Sequence, residues 1–84
     1  MNEWLALLRV HEGGVTSLEG QFLNHGQPVA EYLAATFVEL IQTEHLALGR
    51  PDPSGRQQVC VTRAGQARYL ELNANGVREA RDGR

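Results

Sequence analysis

The sequence predicts a small α+β domain of about three to four helices with a two- to three-stranded antiparallel β-sheet. Three observations carry that expectation. Two short apolar runs, Leu46–Leu48 and Val59–Val61, each alternate with a period of two around a polar loop, Gly49 to Gln58, that holds two Pro, two Gly and an Asp. Alternation with turn residues between marks a long-loop β-hairpin. Directly after the second run, Thr62 precedes apolar residues at helical spacing, so a strand passes into a helix with Thr62 as its N-cap. Upstream, Val29, Tyr32, Leu33, Phe37, Leu40 and Ile41 form a continuous helical stripe.

Taken in order, Asn2 caps a first helix and Glu3 sits favourably in its first turn. Trp4, Leu5, Leu8 and His11 share one face, widened by Leu7 and Val10, and Gly13-Gly14 ends the helix. Trp4 is expected to pack across the core or at a dimer contact. His11 has no Cys or His partner at ligand spacing, so no metal is expected.

Val15 to Gln27 supports two readings. In the helical one, Thr16-x-x-Glu19 is a capping box for a helix over Ser17–Leu23. A turn at Asn24-His25-Gly26-Gln27 then leads to a new helix, completing a helix-turn-helix. In the extended one, Val15–Leu18 and Gln21–Leu23 flank a two-residue turn at Glu19-Gly20. Gly20 favours the second, because Gly costs about 1 kcal/mol in a helix interior relative to Ala. The helical reading is preferred because it completes a winged-helix arrangement.

Pro28 suits the first position of the long helix, where its missing N–H is no loss. That helix should end near Glu44-His45, with His45 as the left-handed cap residue. After Thr62, Ala64, Ala67, Leu70 and Tyr69 or Leu72 give a helix face, and Asn73-Ala74-Asn75-Gly76 reads as its end. Residues 1–76 are thus expected to form a single winged helix-turn-helix domain, and 77–84 a polar C-terminal tail.

Composition bounds the rest. With 84 residues, 42% of them hydrophobic, the chain is a folded domain with one small core, for which dimerisation would help. No apolar run reaches membrane-span length and no signal-peptide pattern opens the chain, so a cytoplasmic protein is expected. The single Cys60 cannot form an internal disulfide, which fits a reducing compartment, and its position in the strand predicts a small semi-buried side chain. All eight basic residues are Arg, a pattern of GC-rich bacterial coding. Residues 1–49 carry six Glu against one Arg, a net of −5, whereas residues 50–84 carry seven Arg against four acids, a net of +3. The hairpin region is therefore the basic pole of a mildly acidic chain.

The segment ELIQTEHLALGRPDPSGRQQVCVTRAGQARYLEL resembles bacterial winged-helix transcription regulators of the MarR-like and PadR-like groups. In those, a recognition helix ends in Leu-x-x-x-Gly-Leu, a wing follows, and the second wing strand runs into Leu-Thr-x-x-Gly. The counterparts are Leu40 to Leu46 and Val61-Thr62-Arg63-Ala64-Gly65, with His45 in place of the usual Gly. The resemblance implies DNA binding, with Ala34 to Thr43 entering the major groove and Thr36, Gln42 and Thr43 reading bases.

That helix holds no Arg and carries Glu31, Glu39 and Glu44, which oppose phosphate. The DNA contacts are therefore expected on the wing, from Arg50, Arg56, Arg63 and Arg68. A homodimeric regulator or mobile-element accessory protein follows as the expected function. No small-molecule ligand or cofactor is implied. The alternative is a winged-helix module for protein–protein contact or dimerisation that does not bind DNA. Nothing at catalytic spacing suggests an enzyme, and no Gly-Lys-Ser/Thr follows Gly13-Gly14 to make a phosphate loop.

Overall fold

The computed structural model describes the backbone of residues 2–82 and the side chains of residues 3–74. Its elements are α1 (Asn2–Glu12), β1 (Val15–Leu18), β2 (Gln21–Asn24), β3 (Gln27–Pro28), α2 (Glu31–Gln42), β4 (Leu46–Leu48), β5 (Gln57–Val61) and α3 (Arg63–Asp82). The result is an α+β domain with three helices and a five-stranded sheet of order β3-β2-β1-β5-β4, every pairing antiparallel. The sheet is larger than the expected two to three strands because the segment between α1 and α2 is extended.

The helix over Ser17–Leu23 does not form, and with it goes the helix-turn-helix. Glu19 and Gly20 have φ of 50° and 80°, and His25 and Gly26 have φ of 51° and 81°. Positive φ at both central residues is the type I′ geometry, whose twist matches that of paired strands. Leu18 pairs with Gln21 across the first turn and Asn24 with Gln27 across the second. Two Gly placed where the chain must turn, plus β-branched Val15 and Thr16, outweigh the capping box.

Pro28 is likewise no helix start. It closes β3 opposite Leu23, and Val29 then donates its N–H to the Phe22 carbonyl at 3.2 Å. Proline is tolerated there because β3 is an edge strand. The helix begins at Glu31 after Ala30, which offers no side-chain cap.

At the other end of α2 the left-handed residue is Glu44 (φ 66°) rather than His45. His45 N–H donates to the Leu40 carbonyl at 2.9 Å and Glu44 N–H to that of Ile41 at 3.1 Å. That pair of bonds is a Schellman motif. It turns the chain into β4 with Leu46 pointing into the core.

The core is built from Leu7 and Val10 of α1, Val15, Phe22, Leu33, Phe37, Leu40, Leu46 and Val59. Phe22 and Phe37 meet with ring centroids 5.2 Å apart, tying the first hairpin to α2. In α1 the buried residues are Ala6, Leu7 and Val10, while Trp4, Leu5 and Leu8 are half-buried and His11 is exposed. The helix is rotated from the expected face because its apolar arc is broad enough for either orientation. His11 instead stacks on Tyr69 of α3 at 5.1 Å. Cys60 is exposed rather than semi-buried, since its neighbour Val59 takes the inward position.

α3 begins as expected. Gly65 N–H donates to Thr62 Oγ1 at 3.1 Å, and Thr62 Oγ1 donates to the Glu44 carbonyl at 2.6 Å. One hydroxyl thus caps α3 and clips it to the α2–β4 turn. A Cβ at position 65 would overlap the His45 carbonyl oxygen, so only Gly lets the helix approach this closely. The helix does not stop at Asn73–Gly76 but continues through Asp82, so the expected tail is helical to that point. Its last two residues lie outside the described residues. No helix among the described residues is long and apolar enough to cross a membrane.

Candidate nucleic-acid interface

β4 and β5 form the long-loop hairpin expected from the sequence, the candidate wing. Leu46 pairs with Val61, Ala47 with Cys60 and Leu48 with Val59. Gly49 N–H closes the ladder on the Gln58 carbonyl at 2.7 Å, and Gln57 Nε2 donates to the Gly49 carbonyl at 3.0 Å. Beyond it, residues 50–56 fold around one carboxylate. Asp52 Oδ1 accepts from Ser54 N–H at 2.9 Å, Ser54 Oγ at 2.6 Å and Arg56 N–H at 3.0 Å. Asp52 N–H in turn donates to the Arg56 carbonyl at 2.9 Å. The Ser54 hydroxyl bond, helped by the Arg56 and Ser54 amides, holds the Asp52 carboxyl below its ordinary range, so it is ionised at neutral pH. Asp52 was not among the expected site residues. Its signal was the Asp-x-Ser spacing, which favours an Asx turn.

The four candidate arginines divide. Arg50 and Arg56 are exposed on the wing loop, and Arg63 is exposed on the first turn of α3. Arg68 is committed elsewhere. Its Nε and Nη2 donate to Glu3 Oε1 at 3.0 and 2.8 Å, and its Nη1 donates to Glu71 at 2.9 Å. The Glu3 hydrogen bond raises its pKa further. Arg68 therefore bridges α1 and α3 with its charge already matched. Arg9 is paired with Glu12 at 3.1 Å. Among the described residues, Arg50, Arg56 and Arg63 are the arginines without an acidic side chain in ion-pair range.

The expected base-reading residues fare differently. Thr36 Oγ1 donates to the Tyr32 carbonyl at 2.9 Å within α2. Thr43 Oγ1 donates to the Leu40 carbonyl at 3.2 Å and lies 2.7 Å from His45 Nδ1. Both line a polar concavity of about 410 Å³ shared with Glu3 and Glu39. Gln42 is exposed at the end of α2. The solvent face of α2 also displays Tyr32 and Val38, 55% and 45% exposed. A second, more open depression of about 620 Å³ runs beside β4, lined by Ile41, Glu44, Leu46–Leu48 and Thr62–Ala64. Among the described residues no three His, Cys, Asp or Glu side chains gather as a metal site.

No protein-family model matches this chain, and no curated protein or solved structure matches it. The resemblance to MarR-like and PadR-like regulators rests on apolar spacing along the segment and on the motif counterparts Leu40–Leu46 and Val61–Gly65. The structure does give those residues a physical purpose: they build the Schellman turn and the clip that seats α3 upon it.

Proposed function

We propose that the protein binds duplex DNA through its wing, as a small regulator or mobile-element accessory protein. The observation that supports this reading is the pattern of neutralisation. Among the described residues Arg9 and Arg68 are matched by carboxylates, whereas Arg50 and Arg56 on the hairpin loop and Arg63 beside it are exposed and have no acidic side chain in ion-pair range. Guanidinium groups held on a stiff loop suit phosphate contacts or insertion into the minor groove. The long helix is poorly suited to the major groove, because it exposes Glu31, Tyr32, Val38 and Glu39 and ties up Thr36 and Thr43.

Fluorescence anisotropy on duplex DNA tests the reading. Three phosphate contacts give a log–log salt slope of about −2.7. The Arg50→Glu/Arg56→Glu double variant abolishes binding while leaving the fold intact. Absence of binding at low salt overturns the proposal.

The second reading, a module for protein contact, is favoured by the exposed Tyr32 and Val38 on an acidic helix. It expects a partner or oligomer that is lost on Tyr32→Ser/Val38→Ser and indifferent to DNA.

A further inference from the structure

The sheet has two free edges. One is β3, which is two residues long and ends in Pro28. The other is β4, Leu46-Ala47-Leu48, which has no charge and no Pro to deter pairing. The ladder fixes which backbone groups it offers. Gly49 N–H and the His45 carbonyl bond toward β5, and Ala47 pairs with Cys60 between them. Antiparallel strands alternate their polar groups, so the N–H and C=O of Leu46 and Leu48 point away from β5. Beside this edge lies the open depression lined by Ile41 and Leu48, the latter 39% exposed.

We infer that the β4 edge is a two-fold self-association surface, on which a second copy of this chain lays its own β4 antiparallel. Centred on Ala47, the two-fold places Leu46 opposite Leu48 of the second copy, so the outward groups of each bond to the other. The charges either side of β4 suit the same operation. Glu44 stands three residues before Ala47 and Arg50 three residues after it. Glu44 leaves the strand in the left-handed turn and Arg50 continues it, so the two-fold sets them at the same end of the paired strands, Glu44 of each copy toward Arg50 of the other, twice. Both are exposed, and neither has an ion-pair partner among the described residues. Glu44 and Arg63 both line the depression beside β4. Arg50 precedes Pro51, which biases it to extended backbone and carries it on from β4. A register shifted by two residues loses both ion pairs, so charge selects the alignment. Three-residue edges bury little area, and the contact belongs to the weak, concentration-dependent class.

This inference does not depend on the DNA reading, and the two part company at Glu44. Sedimentation equilibrium of the full chain is the test. Glu44→Arg and Arg50→Glu each weaken the dimer about tenfold, as like charges replace two attractive pairs, and the Glu44→Arg/Arg50→Glu double variant restores it. In the same samples, amide exchange at Leu46 and Leu48 slows as concentration rises. For DNA, Glu44→Arg does not weaken binding while Arg50→Glu does, so failure of one proposal is separable from failure of the other. A strict monomer overturns the inference. So does a dimer unmoved by either single reversal, including one lost instead on Tyr32→Ser/Val38→Ser, and so does a double variant that fails to recover.

Discussion

The β1–β2 and β4–β5 hairpins of this sheet are closed in opposite ways. The β1–β2 hairpin needs only Glu19 and Gly20, whose positive φ angles reverse the chain in two residues. Its register is set locally, by the two-residue turn. The wing has no such turn. Its loop is organised by Asp52, and its base is fixed by contacts with the end of α2: Thr62 on the Glu44 carbonyl and Gly65 against that of His45. One hairpin is a local decision, whereas the other is held by its neighbours. The glycines express the difference. Gly20 is needed for its angle and has open space around it, while Gly65 is needed for its lack of a side chain.

That contrast can be broken from either side. The largest effect is expected at Gly65. Gly65→Val drives a side chain into the backbone of the α2–β4 turn and destabilises by about 3 kcal/mol. Urea unfolding gives the magnitude, and amide exchange shows β4, β5 and the start of α3 losing protection before β1 and β2. Gly20→Ala meets no atom within 4 Å and carries only the left-handed penalty, about 1 kcal/mol. Its exchange signature is confined to β1–β3.

The smallest effect is expected in the wing loop on acidification. The folded-state pKa of Asp52 lies below its ordinary 3.8. Its contribution is therefore complete above that value and is lost as pH falls through the depressed one. The Ser54 and Arg56 amides should lose protection in that acidic window while the sheet persists. In Asp52→Asn the pH dependence disappears.

The same contrast explains what could be read from sequence. The β4 and β5 strands and the Thr62 cap were legible, because alternation and capping are signals within a few residues. So was most of the apolar stripe of α2, which buries Leu33, Phe37 and Leu40 but leaves Tyr32, expected on the same stripe, on the surface. Residues 15–27 were ambiguous because Thr16-x-x-Glu19 is a valid helix start and Glu19-Gly20 a valid turn. Pairing of β1 with β5, which no local pattern announces, stabilises the extended form. Pro28 misled because helix N1 and an edge strand tolerate proline for the same reason, the missing donor. At the site, Arg50, Arg56 and Arg63 lie on the surface as expected. Arg68 could not be sorted from them by spacing, because its main partner, Glu3, lies 65 positions away.

β5 has a kinetic consequence. Its first residues, Gln57 and Gln58, pair with Ser17 and Thr16 of β1, and its last, Val59 to Val61, pair with β4. A single five-residue strand joins a locally closed hairpin to one held by its neighbours. Closing Thr16 onto Gln58 encircles all of α2, and such loop closure must precede the contacts that reward it. The longest-range pairing within the sheet is thus made by one strand. Docking of β5 against β1 is the step that should limit the folding rate, with the β1–β2 hairpin waiting as a preformed template.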